Sequence, residues 1–458
     1  MKVVRAGRRL YHAWRSWRHA WLSVLALVLA LSLLVRAWDI SIPCSEPCRT
    51  PESHTLIFDE AYYVNAARII AGITPGGGQT YAMAPLHSDP NAEHPQLAKL
   101  IIAAGIELFG DNPWGWRAGS LLFGMLSLLG VFWLVRAAGG SRWLAVGATA
   151  VMGADNLALV HGRIATLDVY ALAMMLLVGV AYLRRRRWVA GVLLGIAACM
   201  KLVGLYLLVA FLILELLRLW QSRTWSWRSP HTRAALWRLL ITGATGCVVL
   251  ILGIWIMDLT VGAYDPGSMH FYRGNPFAHI SHMISFASSL HSTAYSTGAD
   301  SSPLQWLFDQ KPIDYAREVA NGVANGTVVT QRVLVFFRGE MNPFIIFMAI
   351  PALFAAAATV WRRRQALPSA PPSELAPADD VPLVGLAWFL GAYLPFVVEN
   401  DIFHRITYIF YMLIALPGLY LASSSFFARY RKAALVGWGV ALTLGLLHLY
   451  PIRTLSGR

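Results

Sequence analysis

The sequence carries little charge for its length. Only 14% of its 458 residues are Asp, Glu, Lys or Arg, whereas 57% are hydrophobic. Soluble globular proteins carry about 25% charged residues, so this chain lacks the charge that a fully hydrated surface needs. The deficit excludes a disordered protein, a collagen and a DNA-binding domain, and it predicts an integral membrane protein.

Cysteine is also scarce, with four residues in the whole chain, which excludes a disulfide scaffold. Cys44 and Cys48 lie four residues apart in a predicted outer loop, where either a local disulfide or two free thiols would fit. A structural zinc site needs four ligands, and no other close cysteine pair supplies them. Cys199 and Cys247 fall within apolar segments, where we predict that they pack.

The net charge of +14, from 38 Lys and Arg against 24 Asp and Glu, would suggest a nucleic-acid partner in a soluble protein. Here the basic residues crowd short segments between apolar runs, as they do in the cytoplasmic loops of membrane proteins. We therefore predict no nucleic-acid partner. The basic segments orient the chain with a cytoplasmic N-terminus and an extracytoplasmic C-terminus.

The apolar runs predict an all-α integral membrane protein with about eleven transmembrane helices. The stretch at 188–220 is too long for one helix and is basic at both ends, so we predict two short helices with a break at residues 201–204. The predicted spans cover residues 19–35, 118–134, 143–161 with an interruption at Asp155, 169–183, the two halves of 188–220, 239–257, 341–361, 381–398, 406–428 and 433–452.

We interpret the whole chain, residues 1–458, as one domain. Residues 1–18 form a cytoplasmic leader, and residues 365–380, rich in Pro and Ala, form a cytoplasmic linker. Two outer loops are large, the first at 36–117 and the central one at 258–340. Both are predicted to contain helices that lie at the membrane surface.

Adjacent carboxylates follow the first span. Asp59 and Glu60 stand beside Tyr62 and Tyr63 at the start of a helical pattern. Paired carboxylates next to aromatic residues, just outside the membrane, are a candidate general base. The same pattern suits a helix start, with Asp59 as the N-cap residue and Glu60 in the first turn. The residues by themselves leave both interpretations open.

Other ionisable residues also gather near the predicted outer ends of the spans. Arg163 and Asp168 separate the third and fourth spans, where buried charge is costly, and this makes them functional hypotheses. Alternatively, Arg163 pairs with Asp155 or Asp168 merely to hold two helices together. Arg405 precedes Tyr408 at the outer start of the tenth span, and its planar guanidinium suits a phosphate.

The central outer loop is rich in histidine. A metal-binding cluster is one interpretation, although the spacing is irregular and no cysteine accompanies it. The histidines are His270, His279, His282 and His291.

Short motifs follow one another from the first outer loop to the tenth span. They are Asp59-Glu60 with two tyrosines, His94-Pro95-x-Leu97-Ala98-Lys99, Gly115-Trp116-Arg117, Arg163-x-x-x-Leu167-Asp168, Lys201-x-x-Gly204, and Arg405 with Tyr408. In these motifs the chain resembles the protein O-mannosyltransferase-like family of the C-type glycosyltransferase superfamily, which uses polyprenyl-phosphate sugars and is related to the lipid A aminoarabinose transferases. The resemblance covers residues from about 20 to 425. Gln96 replaces the family's usual second proline, and the central loop has no room for the soluble sugar-binding domain of eukaryotic members.

The resemblance implies an inverting glycosyltransferase that moves a sugar, expected to be mannose, from a polyprenyl (dolichyl-type) phosphate to a Ser or Thr hydroxyl of an exported protein. It implies an active site on the extracytoplasmic face of the plasma (inner) membrane, covered by the central outer loop around Ser302 and Trp306. No general acid is strictly required, because a lipid phosphate is already a good leaving group, and no cofactor is expected to be required. A divalent metal held by His94 and an acid stays open, although no motif predicts it.

The resemblance also implies roles for individual residues. Asp59 is the expected base for the acceptor hydroxyl, and Glu60 is expected to orient Asp59 or the acceptor. Arg163 and Arg405 are expected to bind phosphate or to hold the loop. The expected supporting residues of the substrate site are Asp168, His94 and Tyr408.

Two other functions fit part of the sequence. Transfer of another lipid-linked sugar to a lipid or glycan acceptor would use the same core. A transporter or flippase would place charged residues near the midplane of several helices, whereas the ionisable groups here lie toward the outer ends of the spans. An enzyme is therefore the favoured interpretation.

Overall fold

The computed structural model describes residues 2–42, 55–291, 298–324, 327–366, 380–429 and 432–453, so the Cys44 and Cys48 pair lies outside the described residues. The helices in these ranges are α1 Lys2–Ala37, α2 Glu60–Ile70, α3 Leu97–Phe109, α4 Pro113–Ala137, α5 Arg142–Gly153, α6 Asn156–His161, α7 Leu167–Leu183, α8 Arg187–Met200, α9 Leu207–Gln221, α10 Pro230–Thr260, α11 Pro276–Ser289, α12 Pro303–Trp306, α13 Pro343–Ile346, α14 Ala349–Ala366, α15 Val381–Asp401, α16 Leu416–Phe427 and α17 Lys432–Leu449. Short 3₁₀ helices occupy Leu202–Tyr206 and Ile409–Ile414.

Six helical segments of the described residues are long and apolar enough to cross a membrane by length and composition. Helices suit that setting because every backbone N–H and C=O group finds its partner within the segment. The mostly helical class with membrane-spanning helices is thus confirmed, while the count of eleven spans and the orientation of the termini stay predictions. The six segments are His19–Ala37, Pro113–Ala137, Leu202–Gln221, Pro230–Thr260, Pro343–Gln365 and Val381–Asp401.

The long apolar stretch at 188–220 divides where the sequence predicts. Helix α8 ends at Met200, and the Leu202–Tyr206 3₁₀ helix leads into α9. Lys201 stands between the two helices in an extended conformation. The predicted break is confirmed, and it places a cationic side chain at the end of an apolar helix.

Two other predicted spans are not continuous helices: the interruption at Asp155 is confirmed, whereas the span at 406–428 is wrong as a single helix. The span at 143–161 is interrupted by Asp155, which is buried and accepts hydrogen bonds from the backbone N–H of Asn342 (2.9 Å) and the hydroxyl of Tyr420 (2.6 Å). The span at 406–428 becomes a 3₁₀ helix followed by α16. Pro417 lies in the first turn of α16, and a proline there lacks the N–H that a continuous helix would need.

The prediction of an all-α chain is also wrong, because the central outer loop contains two antiparallel hairpins. Strand β1 (Ala263–Asp265) pairs with β2 (His270–Tyr272), and β3 (Ile313–Ala324) pairs with β4 (Thr327–Gly339). The dipeptide Asn325-Gly326 between β3 and β4, flanked by β-branched residues, is a strong hairpin signal in sequence. The apolar runs by themselves do not indicate this hairpin.

Close helix packing brings the ends of the bundle together. Helix α8 contacts α7 and α10, α7 contacts α4, and α15 contacts α9 and α16. Gly391 makes the contact of α15 with α9 possible, because a Cβ at this position would lie 2.1 Å from the Cα of Ala210. This close approach sets the C-terminal end of α15 near the start of α9, where polar side chains meet.

Candidate active site

A cavity of about 890 Å³ opens between the first outer loop, the chain that follows α8, the central outer loop and the segment after α15. Four of the site residues predicted from sequence line this one cavity: Asp59, His94, Arg405 and Tyr408. The structure therefore brings together residues that are almost 350 positions apart in the chain (59 to 408). The charged or titratable side chains of its wall include Asp59, Glu93, His94, Lys201, Glu399 and Arg405.

Asp59 occupies the N-cap position of α2, but its side chain makes no capping hydrogen bond. The carboxylate is half-buried and lines the cavity. Burial raises the pKa of Asp59 to about 7, while the nearby Lys201 cation and a hydrogen bond from Tyr63 counteract the rise. A general base works best with a pKa near the working pH, so the environment of Asp59 suits that role better than capping.

Glu60 has a different environment from its neighbour. It is fully buried, and its two carboxylate oxygens accept hydrogen bonds from Arg117 at 2.8 and 2.7 Å. The backbone N–H groups of Ile57 and Ala165 donate to the same carboxylate at 3.1 and 2.9 Å. Glu60 is not among the residues that line the cavity. Its contacts fasten the first outer loop to α4 and to the chain just before α7, and its role in orienting Asp59 or the acceptor stays a prediction.

Lys201 is the cation that the sequence analysis left out of the site. Its ammonium lies 2.6 Å from the Asp168 carboxylate and 5.6 and 5.5 Å from the ring centres of Phe410 and Tyr411. Asp168, in the first turn of α7, is buried and holds Lys201 at the cavity wall. A charged residue at the break of a long apolar run is the sequence signal that could have identified it.

Arg405 is positioned by groups from three segments. Its guanidinium forms an ion pair with Glu399 at the end of α15, and its Nε donates to the backbone carbonyl of Ala287 at 3.0 Å. The hydroxyl of Tyr206 donates to the same Glu399 carboxylate. The Arg405 guanidinium lies 5.9 Å from the ring centre of Tyr411, so Arg405 and Lys201 share this aromatic neighbour.

A buried lysine shapes the loop that carries His94. Lys99 contacts the Asp89 carboxylate at 2.5 Å, the carbonyl of Asn91 at 2.5 Å and the carbonyl of His94 at 3.0 Å. Burial, together with the charges of Lys201, Lys99 and Arg405, lowers the pKa of His94 well below its usual value. His94 is therefore neutral near pH 7 and available as a hydrogen-bonding group.

Arg163 does not line the cavity. Its guanidinium donates to the carbonyl of Asp39 at 2.6 Å and lies 5.4 Å from the ring centre of Phe337. Asp155 and Asp168 take other partners, so the proposed pairing of Arg163 with either of them is wrong. Of the roles expected from the family resemblance, holding the loop agrees with these contacts, and phosphate binding by Arg163 stays a prediction.

The histidines of the central outer loop do not converge. Both ring nitrogens of His279 are engaged, one by Asp258 at 2.9 Å and the other by the carbonyl of Ala92 at 3.0 Å. Gln96, which replaces the second proline of the family pattern, also donates to Asp258 at 2.7 Å. Across the described ranges, no group of three His, Cys, Asp or Glu side chains is arranged to hold a metal ion.

The central outer loop forms part of the cavity wall, although Ser302 and Trp306 are not among the lining residues. Met283 and Ala287 of α11 line the wall, as does Ile313 at the start of β3. Tyr315 stacks on Phe58, the residue before Asp59, with ring centres 4.1 Å apart. This cover excludes part of the solvent from the carboxylate of Asp59.

Comparisons with known proteins agree with this arrangement. A chain of the S. cerevisiae protein O-mannosyltransferase Pmt1–Pmt2 complex bound to the sugar donor matches with a TM-score of 0.64 at 11% identity, over 94% of this chain and 89% of that chain. At this identity the match concerns the fold. The chain thus shares its fold with that protein.

Sequence comparisons match protein mannosyltransferases. A family model described as dolichyl-phosphate-mannose-protein mannosyltransferase matches residues 93–245. A polyprenol-phosphate-mannose–protein mannosyltransferase of Corynebacterium glutamicum is 25% identical over 80% of this chain and 76% of its own. A protein of the same name from Mycolicibacterium smegmatis is 23% identical over 87% of this chain and 80% of its own. The chain is thus similar to protein mannosyltransferases over most of its length.

Proposed function

We propose that this protein transfers mannose from a polyprenyl phosphate to a Ser or Thr hydroxyl of an exported polypeptide, with inversion at the sugar carbon. The names of its relatives supply the donor and the acceptor class. One observation carries the proposal: a carboxylate with a raised pKa, Asp59, lines the same cavity as the cations Lys201 and Arg405. The predicted topology places this cavity on the extracytoplasmic face of the plasma (inner) membrane.

The reaction is a direct displacement. The acceptor oxygen attacks the anomeric carbon of mannose while the bond from that carbon to the phosphate oxygen breaks on the opposite face. Asp59 accepts the hydroxyl proton as the new bond forms. Lys201 and Arg405 stabilise the negative charge of the departing lipid phosphate. The lipid phosphate leaves as an anion, so the step balances without a general acid.

The other polar residues act by positioning. Asp168 keeps Lys201 at the cavity wall through their 2.6 Å contact, and Glu399 does the same for Arg405. Tyr63 hydrogen-bonds to Asp59 and orients its carboxylate. His94, held neutral, contributes hydrogen bonding without adding charge near the leaving phosphate.

The wall of the cavity also suits a lipid chain. Leu202, Val203, Leu205 and Leu250 line the cavity together with the polar residues. A polyprenyl chain gains about 25 cal/mol for every Å² of apolar surface that it removes from water. The apolar side chains therefore fit the lipid of the donor, and the polar ones fit its phosphate and sugar.

The proposal is tested with purified protein, radiolabelled polyprenyl-phosphate mannose and a Thr-containing peptide. Wild type should label the peptide, and Asp59→Asn should lose about 10²–10⁴-fold in kcat, the usual contribution of a general base. Glu107→Gln, an exposed acid of α3, serves as the matched control and should keep wild-type activity. Full activity of a folded Asp59→Asn variant would contradict the role of Asp59. Label in lipid or glycan instead of peptide would contradict the proposed acceptor.

A further inference from the structure

The wall of the cavity has an apolar part and a polar part. The apolar part includes Leu202, Val203 and Leu250, which fit the lipid of the donor. In the polar part, Tyr62 lines the cavity and is 49% exposed, so the cavity is open beside this residue. An exported polypeptide therefore has a way into the cavity that does not cross the lipid-binding part.

Glu93 lies in this polar part of the wall. Its carboxylate oxygen Oε2 accepts a hydrogen bond from the side-chain amide of Asn91 at 2.9 Å. The same amide donates to the hydroxyl of Tyr81 at 3.1 Å, and the ring centre of Tyr81 lies 6.4 Å from that of Tyr62. The buried Lys99 holds Asn91 in place by donating to its carbonyl. These contacts place the Glu93 carboxylate beside two tyrosines at the opening of the cavity.

The Glu93 carboxylate has no cationic partner of its own. Across the described part of the chain it takes part in no ion pair, and its oxygen Oε1 accepts no hydrogen bond from another residue. The nearby Lys99 is paired with Asp89 at 2.5 Å. Burial raises the pKa of Glu93, and the acids Asp89 and Asp265 add to the rise, while Lys99 opposes it. A ligand cation at this carboxylate would therefore favour its charged form.

A short series of contacts connects Glu93 with the candidate base. Tyr63 hydrogen-bonds to Asp59, and its ring centre lies 5.8 Å from that of His94. His94 directly follows Glu93 in the chain. An extended polypeptide rises about 3.4 Å per residue, so a side chain bound at Glu93 belongs to a residue only a few positions from the hydroxyl that reacts at Asp59.

We propose that Glu93, together with the rings of Tyr62 and Tyr81, binds a Lys or Arg side chain of the acceptor polypeptide near the hydroxyl that receives the sugar. The inference rests on the proposed function, because it requires a polypeptide acceptor. A carboxylate accepts charge-assisted hydrogen bonds from an ammonium or guanidinium group, and the face of a tyrosine ring attracts the same cations. Among exported Ser and Thr residues, the enzyme therefore prefers those with a basic neighbour.

The first test compares Thr peptides that carry either Lys or norleucine at one position, which is moved along the peptide on both sides of the Thr. Norleucine has a similar length to Lys but no charge. At one position Lys should give a KM about tenfold lower than norleucine, the effect expected of a hydrogen bond between charged groups. Equal KM values for Lys and norleucine at every position would overturn the proposal. Transfer to the norleucine peptides distinguishes that result from failure of the proposed function.

The second test assigns the preference to Glu93. Glu93→Gln, checked for folding by size-exclusion chromatography in detergent, should make the KM values of the Lys and norleucine peptides about equal. Asp265→Asn is the matched control, because Asp265 also acts on the pKa of Glu93 but does not line the cavity, and it should keep the preference for Lys. Equal loss of the preference in both variants would indicate general electrostatic attraction and overturn the role of Glu93.

A reversal of charge tests direct contact. Glu93→Lys should prefer a peptide with Glu over a peptide with Gln at the position that the first test identifies. A Glu93→Lys variant that still prefers Lys would overturn the proposal. Glu93→Gln could instead keep the preference for Lys and raise KM for the polyprenyl-phosphate donor. That outcome would assign Glu93 to the sugar and overturn the proposal as well.

Discussion

The carboxylates of Asp59 and Glu60 are adjacent in sequence, yet they belong to two different regions. The cavity side contains Asp59, Lys201 and Arg405, and the packed side contains Glu60 and Arg117. On the packed side every carboxylate oxygen has a short hydrogen bond, and both partners of the ion pair are fully buried. On the cavity side the carboxylate of Asp59 faces open volume and its pKa is raised to about 7.

The comparison shows what separates a structural charge from a reactive one. Glu60 and Arg117 satisfy each other, so neither has capacity left for a substrate. Lys201 and Arg405 also have acidic partners, Asp168 and Glu399, but both cations stay at the cavity wall where a phosphate can reach them. Both regions contain ion pairs, so ion pairing does not separate them. They differ in access to the cavity.

The largest expected effect lies on the packed side. Glu60→Gln leaves the buried guanidinium of Arg117 without a counter-charge, and breaking a buried ion pair in this way costs about 3–5 kcal/mol. We expect loss of most folded protein, measured by thermal unfolding and by size-exclusion chromatography in detergent. Asp59→Asn is the control and should remain folded. If Glu60→Gln is as stable as wild type but inactive, Glu60 acts in the chemistry. That result would contradict the assignment of Glu60 to the packed side.

The second prediction removes a cation from the cavity side. Lys201→Gln should raise KM for the polyprenyl-phosphate donor by about 10–100-fold, since a hydrogen bond to a charged group contributes about 1.5–3 kcal/mol. Steady-state kinetics with varied donor measure this effect. Lys311→Gln, which removes an exposed cation of the central outer loop, should leave the KM unchanged. Equal effects of both variants would point to general electrostatic attraction instead of a phosphate site.

The third prediction concerns the pH profile of kcat. Asp59 accepts a proton only when ionised, and its pKa is raised to about 7, so the rate should rise about tenfold from pH 6 to pH 8 and then level off. The Lys201 cation lowers the pKa of Asp59, and Lys201→Gln should therefore move the inflection to higher pH. Glu93 is another acid of the cavity with a raised pKa, so Glu93→Gln serves as the control. An inflection that disappears in Glu93→Gln would transfer the titration to Glu93.

The smallest expected effect is on stability against pH. The ordinary pKa of Asp59 is 3.8, and its pKa in the folded protein is about 7. At pH values between these two, the folded protein keeps the proton of Asp59, whereas the unfolded chain loses it. The stability that depends on this proton is fully present below about pH 4 and is lost as pH rises through 7. Asp59→Asn has no proton to lose. Its thermal midpoint should fall less than that of wild type between pH 5.5 and 8, and an identical fall in both proteins would contradict the raised pKa.

Local sequence patterns predicted much of the fold and part of the site. The break at 201–204 and the helix at α2 followed from apolar length and from the spacing of polar residues. Four of the seven proposed site residues line the cavity. A fifth, Asp168, does not line it but contacts Lys201, which does. The sequence also contains a signal for the hairpin of β3 and β4, the dipeptide Asn325-Gly326. Apolar length, which predicts membrane helices, does not detect it.

Local spacing does not predict the partners of two charged residues. The contacts of Glu60 do not follow from its sequence neighbours, because its partners come from distant parts of the chain. Its partners, Arg117 and Ala165, lie 57 and 105 positions away. Arg163 likewise finds its partner at Asp39, 124 positions earlier, instead of at the nearby acids Asp155 and Asp168. Long-range pairing of charges depends on how the helices pack, and local spacing carries no record of it.

The sequence by itself determined that the chain is a membrane protein and that acids and arginines gather outside the apolar runs. These properties follow from composition and periodicity, which act locally. Only the tertiary structure decided which of two adjacent carboxylates, Asp59 or Glu60, faces the cavity, and that Lys201 joins Arg405 there. The direction of a side chain at a helix start depends on the elements packed around it, and those elements come from distant parts of the chain.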